Sequence, residues 1–573
     1  MKKLLKYLKE YKLECVLAPL FKMLEASFEL IVPLVVASLI DVGISNNNTG
    51  YIYRCVFIMI LLGFVGLISS CTAQFFAAKA ATGFSTNLRK DLFAHLMSLS
   101  FKEIDGIGTS TMITRMTSDV NQAQTGVNMF LRLFLRSPFV VFGAMIMAFS
   151  IDVKAAMIFV YVIIVLFFVV GFIMKTNIPM IKNVQKLLDR VMLLTRENLS
   201  GARVIRAFCR EEDEIQDFYS SNNSLFLAQI KSGRVSGLMN PVTYVIVNIG
   251  IICLVYSGGL SVDRGILTQG QVIALYNYMS QILIELIKLA NLIITLNKAV
   301  ASADRVADVL DIKCSQDIIS SDENKTDDSV VKFENVSLKY HDSSDDALEN
   351  ISFTVKKGQI VGIIGGTGSG KTSLVSLIPR FYDATEGKVS VFGKDVRSYT
   401  INELRDRIAV VMQKAVLFSG DISSNLRFGA GDISDDDINE AAKLAVATDV
   451  VDSKGGLTGK VEQNGRNFSG GQKQRLTIAR ALAKKADILI LDDSASALDF
   501  ATEKKLNKNI REIDNQVTFI VTQRASSILD ADMIIVLDDG RIVGIGTSDE
   551  LLKSCDVYKE IYYTQFEEAK HEK

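Results

Sequence analysis

Residues 155–173 read AAMIFVYVIIVLFFVVGFI, nineteen in succession without a single charge. A hydrocarbon layer about 30 Å thick is crossed by roughly 20 helical residues, so this run is long enough to span one. A buried core helix of a soluble protein does not need such a run. Within lipid, every backbone N–H and C=O must find a partner inside the segment, which leaves helix as the available form. Five further apolar stretches, at about 15–42, 54–75, 128–150, 241–260 and 270–296, meet the same test. The first 300 residues are therefore expected to form six membrane helices.

The segments between them alternate. Short links follow the first, third and fifth stretches: SNNNTG at 45–50, Ile151-Asp152, and SVDRGILTQG at 261–270. Charged, helix-patterned segments follow the second and fourth, at 76–127 and 174–240, and carry Arg89, Lys90, Lys102, Arg190, Arg203, Arg206 and Arg210. Basic residues gather on the cytoplasmic side, so these segments and both chain ends are expected there, in a multi-pass protein of the plasma membrane. Long helices that leave the membrane and turn back at polar tips fit best, with tips within Glu103–Gln122 and Glu197–Phe208. The start, MKKLLKYLKEYKLE, is basic but lacks a small-residue cleavage site, and reads as an amphipathic helix on the inner membrane face. Several charges fall within or near the spans, at Lys22, Glu25, Glu29, Arg132, Arg136, Glu285 and Lys288. Spacings of three or four put each set on one helix face, directed at a cavity or at one another.

From about residue 313 the character changes. KCSQDIISSDENKTDDS is acidic and without apolar period, and reads as a linker. Short β-type runs then alternate with helical patterns, which predicts an α/β domain with a largely parallel sheet. The expected division is 1–312 membrane domain, 313–329 linker and 330–573 α/β domain. The formal net charge of −1 offers no basic excess, so nucleic acid is not an expected partner. The seven cysteines show no CxxC spacing and read as free thiols of a cytosol-facing protein.

Gly365-Gly366-Thr367-Gly368-Ser369-Gly370-Lys371-Thr372 fits G-x-x-x-x-G-K-[ST], behind strand-like QIVGII and ahead of helix-forming KTSLVSLI. In that context the glycines let backbone N–H groups close around phosphate oxygens, helped by the helix start. Lys371 is placed to neutralise the β/γ-phosphates of ATP, and the Thr372 hydroxyl to ligate Mg²⁺. Downstream, Ile488–Asp493 is a buried-type strand ending in two carboxylates; Asp492 is expected to hold the Mg²⁺ through water.

Between these elements lies Phe468-Ser469-Gly470-Gly471-Gln472, ahead of the basic helical run KQRLTIARALAKKA. At this point the chain resembles the ATP-binding cassette (ABC) family, over essentially its whole length, with Phe468 standing where the signature usually has Leu. The resemblance implies an exporter-type fold: an all-α six-helix transmembrane domain followed by an α/β P-loop nucleotide-binding domain. It also implies that the signature of one cassette closes over ATP held by another, so that two cassettes sandwich two nucleotides. Tyr340 matches the aromatic that stacks on adenine, and Gln413 the Gln that touches Mg²⁺. Ser496-Ala497-Leu498-Asp499 matches the loop that communicates across the dimer. Val461–Gly465 resembles the element that touches the membrane helices.

Two positions depart from the family pattern. Asp493 stands where a Glu normally acts as general base, and Gln523 where a His normally contacts the γ-phosphate. The Asp493 carboxylate sits about 1.5 Å further back, one methylene, and misplacement by about 1 Å is worth around a hundredfold in rate. Gln hydrogen-bonds but does not titrate. The other histidines are His95, His341 and His571, none offering a replacement. The combination points to a half-transporter whose own site binds ATP but hydrolyses it slowly, while its signature completes a site on a different chain carrying the Glu and His. A regulatory ATP-binding subunit and a homodimer with two slow sites are the alternatives. A cavity lined by Phe, Met and Tyr suits small hydrophobic or amphipathic cargo (drug-like, lipid or peptide), with membrane lipid as the surrounding partner. An importer is disfavoured because membrane and cassette domains share one chain here.

Overall fold

The computed structural model describes residues 2–316, 329–340 and 345–566. Most of the expected linker, together with His341 and His571, lies outside them. The chain divides into two compact units, Met1–His95 with Ser110–Asp311, and Leu96–Thr109 with Ile312–Lys573. The segment Leu96–Thr109, placed in the membrane domain by its position in sequence, thus belongs with the α/β unit.

Six helical spans build the first unit: Lys3–Ile44, Thr49–Ser98, Thr109–Ile151, Val153–Ser200, Glu211–Asp263 and Gln269–Asp311. Each apolar stretch therefore continues helically into its charged neighbour, and the chain breaks at the polar links, at the tips around Leu99-Ser100, Gly108, Gly201 and 208–210, and at a turn at Phe134-Leu135 within the third span. Asp152 shows how a link acts. Its backbone is extended, and its carboxylate accepts from the N–H groups of Lys154 and Ala155, capping the fourth span. Asp41 of the first span accepts from the Gly270 N–H at 2.8 Å and so closes the start of the sixth.

Small residues dominate the contacts between spans. Ala26, Ala144, Ala148, Ala156 and Ala274 are wholly buried beside Phe159, Leu275 and Tyr278. Small side chains allow close backbone approach where lipid supplies no hydrophobic drive between helices. Outward-facing Phe167 and Phe168 are 73% and 69% exposed, a surface that only lipid or another apolar body suits. Most of the charges within the spans pair internally, Arg132 being the exception, with a buried Nε that has no hydrogen-bond partner among the described residues. Arg136 donates to both oxygens of Glu29, at 3.0 and 2.7 Å, and to Glu285 at 2.5 Å. Glu285 also accepts from Ser137 at 2.8 Å and from Lys288 at 2.8 Å. Lys22 donates to Glu25 and to Ser70 of the second span. The N-terminal helix departs from a purely surface-lying one: Leu4 and Tyr7 are buried, with the Tyr7 ring edge-on to Phe84.

The second unit holds a six-stranded sheet in the order Arg541–Gly546, Met533–Asp538, Ile360–Gly365, Val517–Thr522, Ile488–Asp492, Ile408–Val411. Every pairing except that of the first two strands is parallel. The strands read as Val/Ile/Leu-rich runs because both faces are buried, one in a core with helices and the other in a core shared with the helix Lys371–Leu377 and a second sheet. A second sheet of four strands includes Ser329–Leu338, Leu348–Lys356 and Glu386–Val391, paired antiparallel. Sequence patterning detects the strand Ser329–Leu338 but not this separate sheet.

Candidate functional site

The parallel register lines up the carboxyl ends of adjacent strands. Val521 stands opposite Asp492, and Thr522 opposite Ile364, so Gly365, Asp493 and Gln523 leave the sheet side by side. Ligands of open parallel sheets bind at this edge. Gly365 ends its strand against the neighbouring backbone, where a Cβ would lie 2.1 Å from the Leu537 carbonyl. The loop Gly366-Thr367-Gly368 is exposed, and Gly370 turns at φ +92° into the helix Lys371–Leu377. That left-handed turn favours glycine, and it frees the loop N–H groups to face outward.

Lys371 lies across its own loop, donating to the carbonyls of Gly365 at 2.9 Å and Gly366 at 2.6 Å, and lying 3.4 Å from the Ser369 hydroxyl. Burial holds its ammonium below the usual lysine range, opposed by the nearby Asp493 and Asp492 carboxylates. The Thr372 hydroxyl donates to Asp492 at 3.0 Å. Burial pushes the Asp492 carboxyl above the ordinary range, and repulsion from Asp493 adds to the shift, while the Thr372 bond opposes it. Gln413 lies 3.4 Å from the Asp493 carboxylate through its amide nitrogen. Asp493 itself turns at φ +45°, with its N–H bonded to the Val521 carbonyl at 3.0 Å.

The Thr372 hydroxyl and the Asp492 carboxylate therefore meet beside a loop built for phosphate, and the Gln413 side chain reaches the neighbouring Asp493. That set suits Mg²⁺, which binds few protein oxygens and takes the rest of its shell from water and phosphate. A bound Mg²⁺ supplies charge neutralisation of the phosphates. No cluster of three or more His, Cys, Asp or Glu able to hold a metal occurs among the described residues.

The signature residues form a separate group. Ser469 caps the helix Gly470–Ala483, its hydroxyl accepting from the Gln472 N–H at 3.3 Å while the Gln472 side chain accepts from the Ser469 N–H at 3.0 Å. One turn on, Gln474 reaches back to the loop 496–499, accepting from the Ala497 N–H at 3.0 Å. Gly471 packs so closely that a Cβ would lie 2.9 Å from the Ala497 carbonyl. Asp499 caps the following helix through Thr502. No hydrogen bond among the described residues joins Ser469–Gln472 to the phosphate loop. Gln523 projects an exposed side chain, its carbonyl held by Gln565 at 2.8 Å. His95 is occupied elsewhere, 3.1 Å from the Val309 carbonyl.

Tyr340 lies on the other side of the loop. Its hydroxyl donates to Ser373 at 3.0 Å, and its ring stands edge-on to Tyr382 at 4.9 Å between centroids. A cleft of about 690 Å³ opens here, lined by Tyr340, Thr372, Tyr382, Met412, Phe101 and Asp105 among others. Ser373, Tyr382, Asp105 and Gln474 are not singled out by sequence. Ser373 directly follows the phosphate-loop motif, which is signal enough to find it; the others carry no motif.

Comparison with known proteins matches residues 15–286 to the ABC transporter transmembrane region and residues 348–496 to the ABC transporter domain. The "Uncharacterized ABC transporter ATP-binding protein YfiB" of Bacillus subtilis is 34% identical over 570 residues, 99% of each chain. An "ATP-dependent lipid A-core flippase" of Syntrophus aciditrophicus is 31% identical over 84% of this chain and 81% of its own. A bacterial Atm1-family ABC exporter, solved with ATP bound, superimposes with a TM-score of 0.81 over 96% of this chain and 98% of its own, at 23% identity.

Proposed function

The chain belongs to the ABC transporter family, whose members couple ATP hydrolysis to transport, and on that premise we infer that it is one half of an exporter. Its own nucleotide site binds MgATP and turns it over slowly; its signature serves the competent site of a different chain. The carrying observation is the pair of strand ends beside the phosphate loop. Asp493 and Gln523 stand there just past the ends of adjacent strands, one a carboxylate set back by a methylene and the other an amide without a titratable proton. Lys371, Thr372, Asp492 and Gln413 retain the groups that binding requires.

The second helical tip, Ala202–Ala207, fits a role in docking on the partner's cassette. Leu199, Val204 and Phe208 there are 75%, 61% and 74% exposed, more than a solvated turn carries. Cargo is hydrophobic or amphipathic. An apolar cavity of about 250 Å³ between the fourth, fifth and sixth spans, with Leu166, Phe167, Met174, Met239 and Leu283 in its wall, supports this class. The likeness to a lipid flippase points the same way. The nucleotide site and the two polar tips face the cytoplasm on this reading, following the basic residues.

The test is ATPase activity of the purified chain alone and with a Glu- and His-bearing partner. Little turnover alone and strong turnover together is expected. The double substitution Asp493→Glu with Gln523→His is expected to raise hydrolysis at this site by about a hundredfold. Robust turnover by the chain alone, insensitive to Asp493→Asn, overturns the reading.

A further inference from the structure

The edge of the six-stranded sheet opposite the phosphate loop carries a cleft of about 560 Å³. Asp487 and Gln516 stand in its wall directly ahead of the strands Ile488–Asp492 and Val517–Thr522. The cleft thus opens at the amino ends of the strands whose other ends carry Asp493 and Gln523. Its depth is apolar: Ala441 and Leu482 are buried in the core, and Leu444 and Ile513 pack against it. Its rim is acidic. The carboxylates of Asp437, Glu440, Asp487, Glu512 and Asp514 stand against the two ammonium groups of Lys357 and Lys485. Lys485 is already shared between Asp437 at 2.7 Å and Glu440 at 3.9 Å, and Asp487 is held by Arg407 at 2.8 Å. Glu512 and Asp514 are exposed and have no ion-pair partner among the described residues.

Two further features point to a bound cation. Gln516 is only 9% exposed, and its Nε2 donates to the Ala486 carbonyl at 2.8 Å, which fixes the plane of the amide. Its Oε1 is left buried with no hydrogen-bond donor among the described residues. An acceptor in that state is costly, so what this wall lacks is a donor. The second feature is the helix Phe500–Arg511, which runs directly into Glu512. The carbonyl end of a helix carries partial negative charge, and a carboxylate there adds to it unless a cation sits with both. The cations of the helix's own last turn, Lys508 and Arg511, line a different cavity.

The acid is spread along the cleft and not gathered at a point. No three His, Cys, Asp or Glu among the described residues stand close enough to hold one metal ion. An extended ligand therefore fits better than a single ion, and the apolar depth suits methylene groups. We propose that this cleft binds a linear aliphatic polyamine, with its methylenes over Leu444 and Ile513, one ammonium group donating to the Gln516 Oε1, and the others meeting Glu512 and Asp514. Ammonium groups are donors only, which matches a wall made of acceptors. A cleft lined mainly by one sign of charge also concentrates the opposite sign from solution. Seated there, the polyamine ties the helix Asp435–Leu444, which carries Asp437 and Glu440, to the turn 512–516. None of these residues belongs to the nucleotide site, so occupancy of the cleft does not depend on ATP.

The experiment titrates the full-length chain with spermidine, without nucleotide, in nanodiscs of phosphatidylcholine, a lipid without net charge that does not itself attract the probe. Binding is read by calorimetry against empty nanodiscs, and by the rise in melting temperature that a ligand of the folded state produces. Saturable binding is expected. The double change Glu512→Gln with Asp514→Asn removes two charged acceptors from exposed positions and should weaken spermidine about tenfold or more. Gln516→Met removes the buried acceptor at similar length and should weaken it about fivefold, with the melting curve of the free variant checking its fold. Glu386→Gln, an exposed carboxylate on the second sheet, should leave affinity within about twofold. Absence of saturable binding overturns the proposal, as does unchanged affinity in the double variant or in folded Gln516→Met. A loss on Glu386→Gln as large as that in the double variant also overturns it, because the attraction is then to net charge alone. So does Mg²⁺ that competes as well as spermidine at equal ionic strength, because the site then takes a compact ion and not an extended one.

Discussion

Asp492 and Asp493 are consecutive carboxylates to which the proposed site gives different tasks. Burial and Asp493 both raise the Asp492 carboxyl, so on acidification Asp492 takes up its proton earlier than an ordinary aspartate does. A protonated Asp492 is a poor partner for Mg²⁺, and Mg²⁺-dependent ATP binding should therefore weaken toward acid pH. Replacing Asp493 with Asn removes the repulsion and leaves Thr372 in place. The sign follows: the Asp492 pKa falls, and the acid limb of Mg²⁺-dependent binding moves to lower pH. A pH series of ATP binding with and without Mg²⁺ checks it, and an unmoved or opposite limb refutes it. At this scale the sequence is legible wherever a motif fixes a residue's neighbours. Asp493 and Gln523 are identified because each follows a buried strand whose end is recognisable. Tyr382 and Asp105 are not, because they are 277 positions apart and only the fold brings them together.

Helices and strands are legible for a related reason, and their limits are equally physical. Uncharged runs and Val/Ile-rich runs announce an element, while a polar link such as Asp152 announces its end. What such runs do not encode is pairing, so the antiparallel sheet around Ser329–Leu338 does not separate from the parallel one in the sequence. The same holds for the charges within the spans, whose spacing is compatible with both a cargo contact and internal pairing. Arg136 resolves into an internal clasp of the first, third and sixth spans, only 7% exposed at its side chain and bonded to Glu29 and Glu285. Removing one member of a buried pair leaves its partner's charge stranded, at a cost of about 3–5 kcal/mol. Arg136→Ala should lower thermal stability in detergent by that order, read as a fall in melting temperature. The quadruple change Arg136→Met, Glu29→Gln, Glu285→Gln, Lys288→Gln should recover most of it, since every charge of the cluster, including the Lys288 paired with Glu285, is then removed. A single substitution that melts like the unmodified protein refutes the clasp.

At the scale of the whole molecule, the chain carries two functional surfaces: the phosphate loop with Asp493, and the signature Ser469–Gln472, which no hydrogen bond among the described residues joins directly to that loop. In a pair of unlike chains these surfaces serve different nucleotides, so their substitutions have unequal effects. Ser469→Arg puts a bulky cation where the partner's ATP is to be clasped and should reduce turnover of the assembled pair by about a hundredfold, since displaced transition-state contacts are worth that order. The cap contributes only about 1 kcal/mol to the helix, and Ser469→Thr, which preserves it, controls for folding. Asp493→Asn alters only the slow site and should change turnover by less than about twofold. In a pair of identical chains every site contains both residues, and the two substitutions should then abolish activity alike. The ratio of the two effects, measured as cargo-stimulated ATPase in vesicles, thus separates the two assemblies, and it requires of the cargo only that it stimulate turnover. Equal losses would falsify the unlike pair; a large loss from Ser469→Arg beside a small one from Asp493→Asn is the expected result.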